Sequence, residues 1–209
     1  MSNTDKPGHH PQTQFPSANG ELLIGGIGLT RIAQRIGSDS FYAYDRQLIA
    51  QRITELKAKL PANIGIHYAI KANPFAPLVC FIASQIDGLD VASATEMRLA
   101  LDAGMAPAHI SFAGPGKTEA DLTQAVAAGI LLNIESAQEA ETLATISHRS
   151  GQAARVALRI NPAFELRSSG MRMGGGSRPF GVDEESAPAL LKRIGALGLA
   201  FEGFHIYAG

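Results

Sequence analysis

Residues 67–74 read His-Tyr-Ala-Ile-Lys-Ala-Asn-Pro, a short β-like run that ends in a lysine and a proline. Alternation of side chains along a strand places His67, Ala69 and Lys71 on one face. Similar runs follow at regular distances and alternate with amphipathic helical stretches, which is the pattern of βα units with a parallel sheet. We predict strands at 66–71, 88–92, 109–113, 130–134, 155–160 and 201–207, and helices at 75–86, 94–103, 118–128, 136–149 and 184–197.

The spacing of these strands is typical of a (β/α) barrel. An eight-stranded barrel usually needs about 250 residues, and this chain has 209. We therefore predict an α/β fold, a truncated (β/α) barrel of the TIM type with about six of its eight strand-helix units. The predicted regions are a flexible N-terminal arm at 1–20, a lead-in segment at 21–44 and the partial barrel at 45–209, whose first helix is N-capped by Asp45.

The composition excludes several classes of partner. Apolar residues make up 45% of the chain, charged residues make up 18%, and the formal net charge is −1. The chain can thus bury a sizeable core, and it lacks the basic excess of a nucleic-acid-binding surface. The longest charge-free run in the body of the chain, 72–86, is short and broken by prolines, so no membrane span is predicted. The polar start lacks the apolar segment of a secretory signal, which favours the cytoplasm.

Lys71 is the residue best suited to chemistry. Barrel enzymes place their sites at the carboxyl ends of the strands, and a desolvated lysine there can form a Schiff base with a carbonyl compound. The alternative for a lysine at a strand end is the start of a solvated loop. Asp90 is the only charge of the strand at 88–92, and Arg159 is the only charge of residues 156–162. Because a buried arginine needs an acidic partner, we predict that Arg159 pairs with Asp90.

Four segments, in the same order, resemble one family. Residues 68–73, Tyr-Ala-Ile-Lys-Ala-Asn, are similar to the cofactor-lysine motif of the fold-type III pyridoxal-phosphate decarboxylases, the group of diaminopimelate, ornithine and arginine decarboxylases. Residues 90–96, Asp-Val-Ala-Ser-Ala-Thr-Glu, resemble the family's Asp-x-Ala-Ser-x-x-Glu, and residues 158–161 resemble its Leu-Arg-Ile-Asn. Residues 203–209, Gly-Phe-His-Ile-Tyr-Ala-Gly, are similar to its Gly-x-His-x-His-x-Gly.

The resemblance implies an alanine-racemase-like barrel and the cofactor pyridoxal 5'-phosphate. Tyr207 stands where the family has a histidine that stacks on the cofactor, and an aromatic ring can stack in its place. Glu96 fits a helix start that is capped by Ser93 equally well. The residues that the resemblance assigns as catalytic are Lys71, Asp90 and Glu96, and those that it assigns as cofactor-binding are Lys71, Asp90, Arg159, His205 and Tyr207.

The implied activity is decarboxylation of an amino acid, diaminopimelate or a related one, through an internal aldimine on Lys71. The full-length form is expected to be a homodimer. Residues 171–176 and Tyr207 indicate a side branch near the diaminopimelate enzymes, associated with exosortase and exopolysaccharide gene clusters. Because the family's other cofactor and catalytic groups come from downstream sequence, the 209 residues alone are expected to be inactive. The alternatives are a non-catalytic homologue that binds a decarboxylase partner, an alanine-racemase-like enzyme and a lysine-Schiff-base aldolase.

Other conspicuous residues receive structural predictions. Residues 25–28, Gly-Gly-Ile-Gly, lack the third glycine of the dinucleotide pattern and are predicted to form a turn. Residues 168–182, which include three consecutive glycines at 174–176, are predicted to form a mobile loop. Cys80 is predicted to pack in the core rather than to act as a nucleophile. The histidines outside the motifs show no metal-ligand spacing, so no metal site is predicted.

Overall fold

The computed structural model describes residues 14–38, 40–162 and 180–207, and the chain divides into two compact units, Met1–Pro61 and Ala62–Gly209. Residues 1–13 of the predicted arm, and residues 168–179 of the predicted loop with its three glycines, lie outside the described residues. The first unit has an antiparallel sheet of three short strands and two helices. These elements are β1 (Ser17–Ala18), β2 (Glu21–Ile24), β3 (Ile27–Gly28), α1 (Leu29–Ile36) and α2 (Arg46–Lys59).

A two-glycine turn joins β2 to β3. Gly25 and Gly26 have φ angles of 57° and 74°, which suit a tight hairpin turn and which other residues rarely adopt, so the predicted turn is confirmed. Asp45 caps α2 as predicted, since its Oδ1 accepts a hydrogen bond from the N–H of Gln47 at 2.8 Å. Its Oδ2 accepts from the N–H of Gly25 at 2.8 Å. Helix α2 belongs to the first of the two compact units, and the predicted boundaries of the arm, the lead-in segment and the barrel stay a prediction.

The second unit is a parallel sheet whose strands alternate with helices. Its elements are β4 (His67–Ala69), α3 (Ala76–Ala83), β5 (Gly88–Val91), α4 (Ala94–Asp102), β6 (Ile110–Phe112), α5 (Glu119–Ala128), β7 (Leu131–Ile134), α6 (Ala137–Ser150), β8 (Arg155–Asn161), β9 (Val182–Asp183), α7 (Ala187–Ala196) and β10 (Ala200–Ile206). All six predicted strands are present, with ends within two residues of the predicted ones, and all five predicted helices between them are present.

The strands lie in the order β10-β8-β7-β6-β5-β4, and every pair in this series is parallel. The short β9 also pairs with β8, at Ile160 and Asn161. Ile160 pairs with β10 along the opposite edge of β8. Strand β9 therefore lies on the same edge of β8 as β7, beyond the residues of β8 that pair with β7. This succession of parallel strands confirms the α/β fold with six consecutive barrel strands. Within the described residues, no helix combines the length and the apolar character needed to cross a membrane.

The core lies between the sheet and the helices. Alternate side chains of the inner strands point to this layer, where burial of each stabilises the fold by about 1.5–3 kcal/mol. The strand residues in the core, each at most 3% exposed, are Leu89, Val91, Ile110, Phe112, Leu132, Ile134, Val156 and Leu158. Helix residues that pack in the same cluster include Met97, Leu122, Val126, Leu143, Leu190 and Ile194.

Helix α3 departs from one prediction. Its buried residues are Leu78, Val79 and Ile82, whereas Cys80 is exposed. The prediction that Cys80 packs in the core is therefore wrong. In a helix this apolar throughout, sequence does not distinguish the buried stripe from the exposed one.

Candidate active site

Lys71 lies in a 3₁₀ turn, Ile70–Ala72, directly after β4. The strand ends at Ala69, earlier than predicted, because Ile70 is fully buried and its carbonyl accepts a hydrogen bond from the N–H of Asn73 at 3.0 Å. Lys71 is exposed. Within the part of the chain that the structure describes, its ammonium group has no hydrogen-bond or ion-pair partner. The amine is thus at the carboxyl end of its strand, as predicted, but it is not shielded from water.

Asp90 lies in the neighbouring strand and pairs with a histidine. Its Oδ1 is 3.1 Å from Nδ1 of His67, and this hydrogen bond raises the pKa of His67 above its ordinary value, while partial burial opposes the shift. His67 pairs in register with Gly88, where a Cβ would collide with the imidazole ring. Both side chains are half-exposed. The pair therefore borders solvent at the β4–β5 end of the sheet, close in sequence to Lys71.

Arg159 is buried in β8, and its residue is 6% exposed. Its Nη1 lies 3.1 Å from Oε1 of Glu135, and its guanidinium carbon lies 4.8 Å from the centroid of the Phe180 ring. The prediction of an acidic partner is confirmed, but the choice of Asp90 is wrong. Strands β5 and β8 are separated by β6 and β7, whereas Glu135 directly follows the adjacent strand β7 and accepts a hydrogen bond from Arg159.

Glu135 is the centre of this end of the site. Its Oε1 also accepts from the N–H of Gly114 at 2.7 Å, and its Oε2 accepts from the N–H of Gly181 at 2.7 Å. The sequence analysis assigned no site role to Glu135. The available signal was its position, since it is a carboxylate directly after a buried apolar strand at the edge where barrel sites form.

Lys117 forms a second buried ion pair next to Glu135. Its Nζ lies 2.8 Å from Oε1 of Glu139, and the Lys117 side chain is 1% exposed. The Nζ also donates to the carbonyl of Asn133 at 3.0 Å. Burial raises the pKa of Glu139, and the charge of Lys117 opposes that shift. The helix predicted to start at 118 does start there, with Thr118 as its cap, because the Thr118 hydroxyl accepts from the N–H of Asp121. The burial of Lys117 was not predicted.

Glu96 takes part in the start of α4. Its Oε2 accepts from the N–H of Ala92 at 2.7 Å, while its own N–H donates to Oγ of Ser93 at 3.2 Å. Glu139 closes the start of α6 in the same way, by accepting from the N–H of Glu135 at 2.7 Å. The structure thus gives Glu96 a capping role, and the assignment of Glu96 as a catalytic residue stays a prediction.

His205 and Asn161 carry unsatisfied polar atoms. His205 lies opposite Arg159 in the β8–β10 register, and burial, followed by the charge of Arg159, lowers the pKa of its imidazole. Its buried Nδ1 and the buried Nδ2 of Asn161 have no hydrogen-bond partner among the described residues. Unpaired buried polar atoms are costly and call for a ligand or water. Tyr207, just beyond β10, is exposed.

Taken together, the parallel strands bring the predicted residues to one edge of the sheet in two groups. Lys71 and Asp90 lie after β4 and in β5, and Arg159 and His205 lie in β8 and β10. The charge of Asp90 reaches His205, where it opposes the lowering of the imidazole pKa. A reactive amine, a fixed guanidinium and unsatisfied nitrogens form a donor set that fits an anionic aldehyde such as pyridoxal phosphate. Barrel proteins place phosphate-bearing ligands at this same edge.

Comparison with known proteins supports the same ligand. The family model described as "Pyridoxal-dependent decarboxylase, pyridoxal binding domain" matches residues 46–209. A diaminopimelate decarboxylase of Aquifex aeolicus is 36% identical over 91% of this chain and 46% of its own length. A decarboxylase of Niallia circulans that acts on L-glutamyl-[BtrI acyl-carrier protein] is 35% identical over 81% of this chain and 40% of its own. The chain thus spans about half the length of these relatives.

Solved structures give the same result. A crystal structure from Aquifex aeolicus superposes with a TM-score of 0.82 at 34% identity, covering 95% of this chain and 46% of that one. Diaminopimelate decarboxylase from Helicobacter pylori, complexed with L-lysine, superposes with a TM-score of 0.77 at 29% identity, covering 85% and 47%. The predicted barrel fold and the cofactor that the motifs implied are confirmed, and the chain belongs to the pyridoxal-dependent decarboxylase family.

Proposed function

We propose that the whole protein is a pyridoxal-phosphate-dependent amino-acid decarboxylase and that Lys71 is the residue that holds the cofactor. The observation that carries this proposal is the Lys71 amine, which has no partner in the described structure and lies at the carboxyl edge of a barrel sheet. An amine without an ion pair needs no prior rearrangement to react with an aldehyde. The unsatisfied nitrogens of His205 and Asn161, at the other end of the same edge, are free to accept a ligand.

The remaining predicted residues would act by charge and by contact. Arg159 would supply a fixed positive charge, and Asp90 would supply a negative charge beside His67. Tyr207 would supply an aromatic face for stacking. Glu96, whose carboxylate closes the start of α4, would be a catalytic residue, as the family resemblance implies. Pyridoxal phosphate, when bound, supplies the electron sink that makes loss of carbon dioxide from an amino acid feasible. The chain's own part is to hold and orient the cofactor and to exclude competing reactions.

The substrate that we propose is an amino acid, diaminopimelate or a related one. The related sequences support this class, because they include diaminopimelate decarboxylases that are 36% and 33% identical to this chain. We expect the 209 residues to bind cofactor without enzyme-like turnover, because the relatives are about twice as long. We further propose a cytoplasmic location and a homodimer for the full-length protein, with neither nucleic acid nor membrane as partner. The net charge of −1 supports the exclusion of nucleic acid.

Titration with pyridoxal phosphate tests the proposal. The wild-type protein should develop an absorbance band that is absent from Lys71→Ala, because the substitution removes the proposed attachment point. Lys192→Ala is the matched control, since Lys192 is an exposed lysine on α7, and it should keep the band. A band of equal strength in Lys71→Ala would exclude Lys71 as the attachment point. A protein without any band would favour the non-catalytic homologue.

A further inference from the structure

One carboxylate ties together three strand ends. Glu135, which is 5% exposed, receives hydrogen bonds from Gly114 after β6, from Arg159 in β8 and from Gly181 before β9, at 2.7, 3.1 and 2.7 Å. Hydrogen bonds to an ionised acceptor are roughly twice as strong as neutral ones. Glu135 therefore fixes the relative positions of these segments at the edge where the site lies.

The backbone that Glu135 holds also encloses Arg159. Gly181 has φ of +70°, and a Cβ there would lie 2.9 Å from both Cγ and the carbonyl oxygen of Arg159. The Phe180 ring lies against the guanidinium. Arg159 is thus confined between the Glu135 carboxylate and the Phe180–Gly181 segment. Loss of the carboxylate would free both the guanidinium and the segment.

Arg159 borders the unsatisfied atoms of the site. It pairs in register with His205, whose buried Nδ1 has no partner, and Asn161, two residues farther along β8, carries an unpartnered Nδ2. The position of the guanidinium therefore decides how close its positive charge lies to a ligand beside these nitrogens. The lowered pKa of His205, in which Arg159 is a cause after burial, agrees with this proximity.

We propose that Glu135 is a positioning residue of the cofactor site: it holds the Arg159 guanidinium and the Phe180–Gly181 backbone beside His205 and thereby sets the affinity for pyridoxal phosphate. This inference rests on the proposed function, because it takes pyridoxal phosphate as the ligand. Glu135 acts through Arg159 and not by contact with the reacting atoms. Its effect should therefore vanish when Arg159 is absent.

A double-mutant cycle tests this dependence. The dissociation constant for pyridoxal phosphate is measured for wild type, Glu135→Gln, Arg159→Gln and the double variant. Outer-shell partners in metal sites set the scale of the expected loss, about 10- to 100-fold for Glu135→Gln. The double variant should bind within about twofold of Arg159→Gln, because residues that act as one unit are not additive. Losses that multiply, or a Glu135→Gln variant that binds like wild type, would overturn the proposal.

A second measurement needs no cofactor. In Glu135→Gln, the amide hydrogens of Gly114 and Gly181 should exchange faster, and the pKa of His205 by NMR should fall further, since Glu135 raises it. Glu141→Gln, which removes an exposed carboxylate on α6, should change neither. If the amides respond but wild type shows no Lys71-dependent band, the proposed function fails and the positioning contacts stand. If Glu135→Gln does not fold, Glu135→Asp, which keeps the charge on a shorter side chain, takes its place in the cycle. It should lower the affinity when Arg159 is present and leave it unchanged in the Arg159→Gln background.

Discussion

The two ends of the candidate site differ in how their charges are held. Around β7 and β8, two charge pairs are buried: Glu135 with Arg159, and Lys117 with Glu139. At the β4–β5 end, Asp90 and His67 are half-exposed, and Lys71 is exposed without a partner in the described residues. Buried pairs are rigid and costly to break, whereas exposed groups contribute little to stability. The comparison indicates that the charges around β7 and β8 are held rigidly, whereas those at β4 and β5 are accessible to a reactant.

The largest expected effect comes from breaking a pair at the fixed end. Lys117→Met leaves the Glu139 carboxylate without its buried cation, so we expect the free energy of unfolding to fall by about 3–5 kcal/mol. Urea denaturation followed by circular dichroism measures the change. Lys117→Met/Glu139→Gln should recover part of the loss. If the double variant is no more stable than the single one, packing around Lys117 and not the ion pair carries the effect.

The caps at the starts of α4 and α6 should contribute equally to the free energy of unfolding. Equal contributions would show that the two ends differ in their charges and not in their helices. Ser93 and Ser136 accept hydrogen bonds from the N–H of Glu96 and Glu139, each at 3.2 Å. Ser93→Ala and Ser136→Ala should each cost about 1 kcal/mol of unfolding free energy. Thr95→Ala, an exposed change two residues after the Ser93 cap, is the control and should stay within about 0.5 kcal/mol. A cap effect confined to one end would contradict a common scaffold.

A smaller effect should appear in the pH dependence of stability. The pKa of His67 is raised in the folded protein by Asp90, so its contribution is complete below the unfolded value of about 6.5 and is lost as the pH rises through the folded value. Because both groups are half-exposed, we expect less than about 1 kcal/mol. Unfolding free energies at pH 6 and pH 8.5 for wild type and His67→Gln isolate this contribution. The difference between the two proteins should shrink at the higher pH; a difference that grows would reverse the sign of the coupling.

The smallest expected effect belongs to Lys71. Lys71→Met should change the free energy of unfolding by no more than about 0.5 kcal/mol, because an exposed lysine without a partner contributes little. The same urea series as for Lys117→Met provides the measurement and the matched lysine. A loss that approaches the Lys117→Met value would mean that the Lys71 amine has a partner in the folded state, and the contrast between the two ends would disappear.

The local pattern of the sequence was sufficient for much of the fold. The strand at 88–92 and its successors were predictable because alternation and helix periodicity depend only on neighbouring residues. Asp45 and Thr118 were identified as helix starts for the same reason, since a cap bonds within three residues. The family motifs likewise placed Lys71 at a strand end, where the structure has it.

Long-range choices could not be predicted in this way. The sequence indicates that a buried Arg159 needs a carboxylate, but the choice between Asp90 and Glu135 depends on which strand lies next to β8. The burial of Lys117 depends in the same way on contacts from α6. The shielding expected for Lys71 failed because Ile70 takes the buried position in the turn and leaves the next side chain outside. Each of these outcomes depends on contacts between residues distant in sequence.

The alternation of side chains along the inner strands has an evolutionary consequence. Leu89 and Val91 belong to the core, whereas Asp90 between them faces the candidate site and contacts His67. Selection for a new substrate can therefore act on every second residue of a strand while the residues that maintain the fold stay unchanged. The pair of Glu135 and Arg159 is an exception, because either change alone would leave a buried charge. Divergence among such proteins should accordingly be slowest at this pair and fastest around the exposed end.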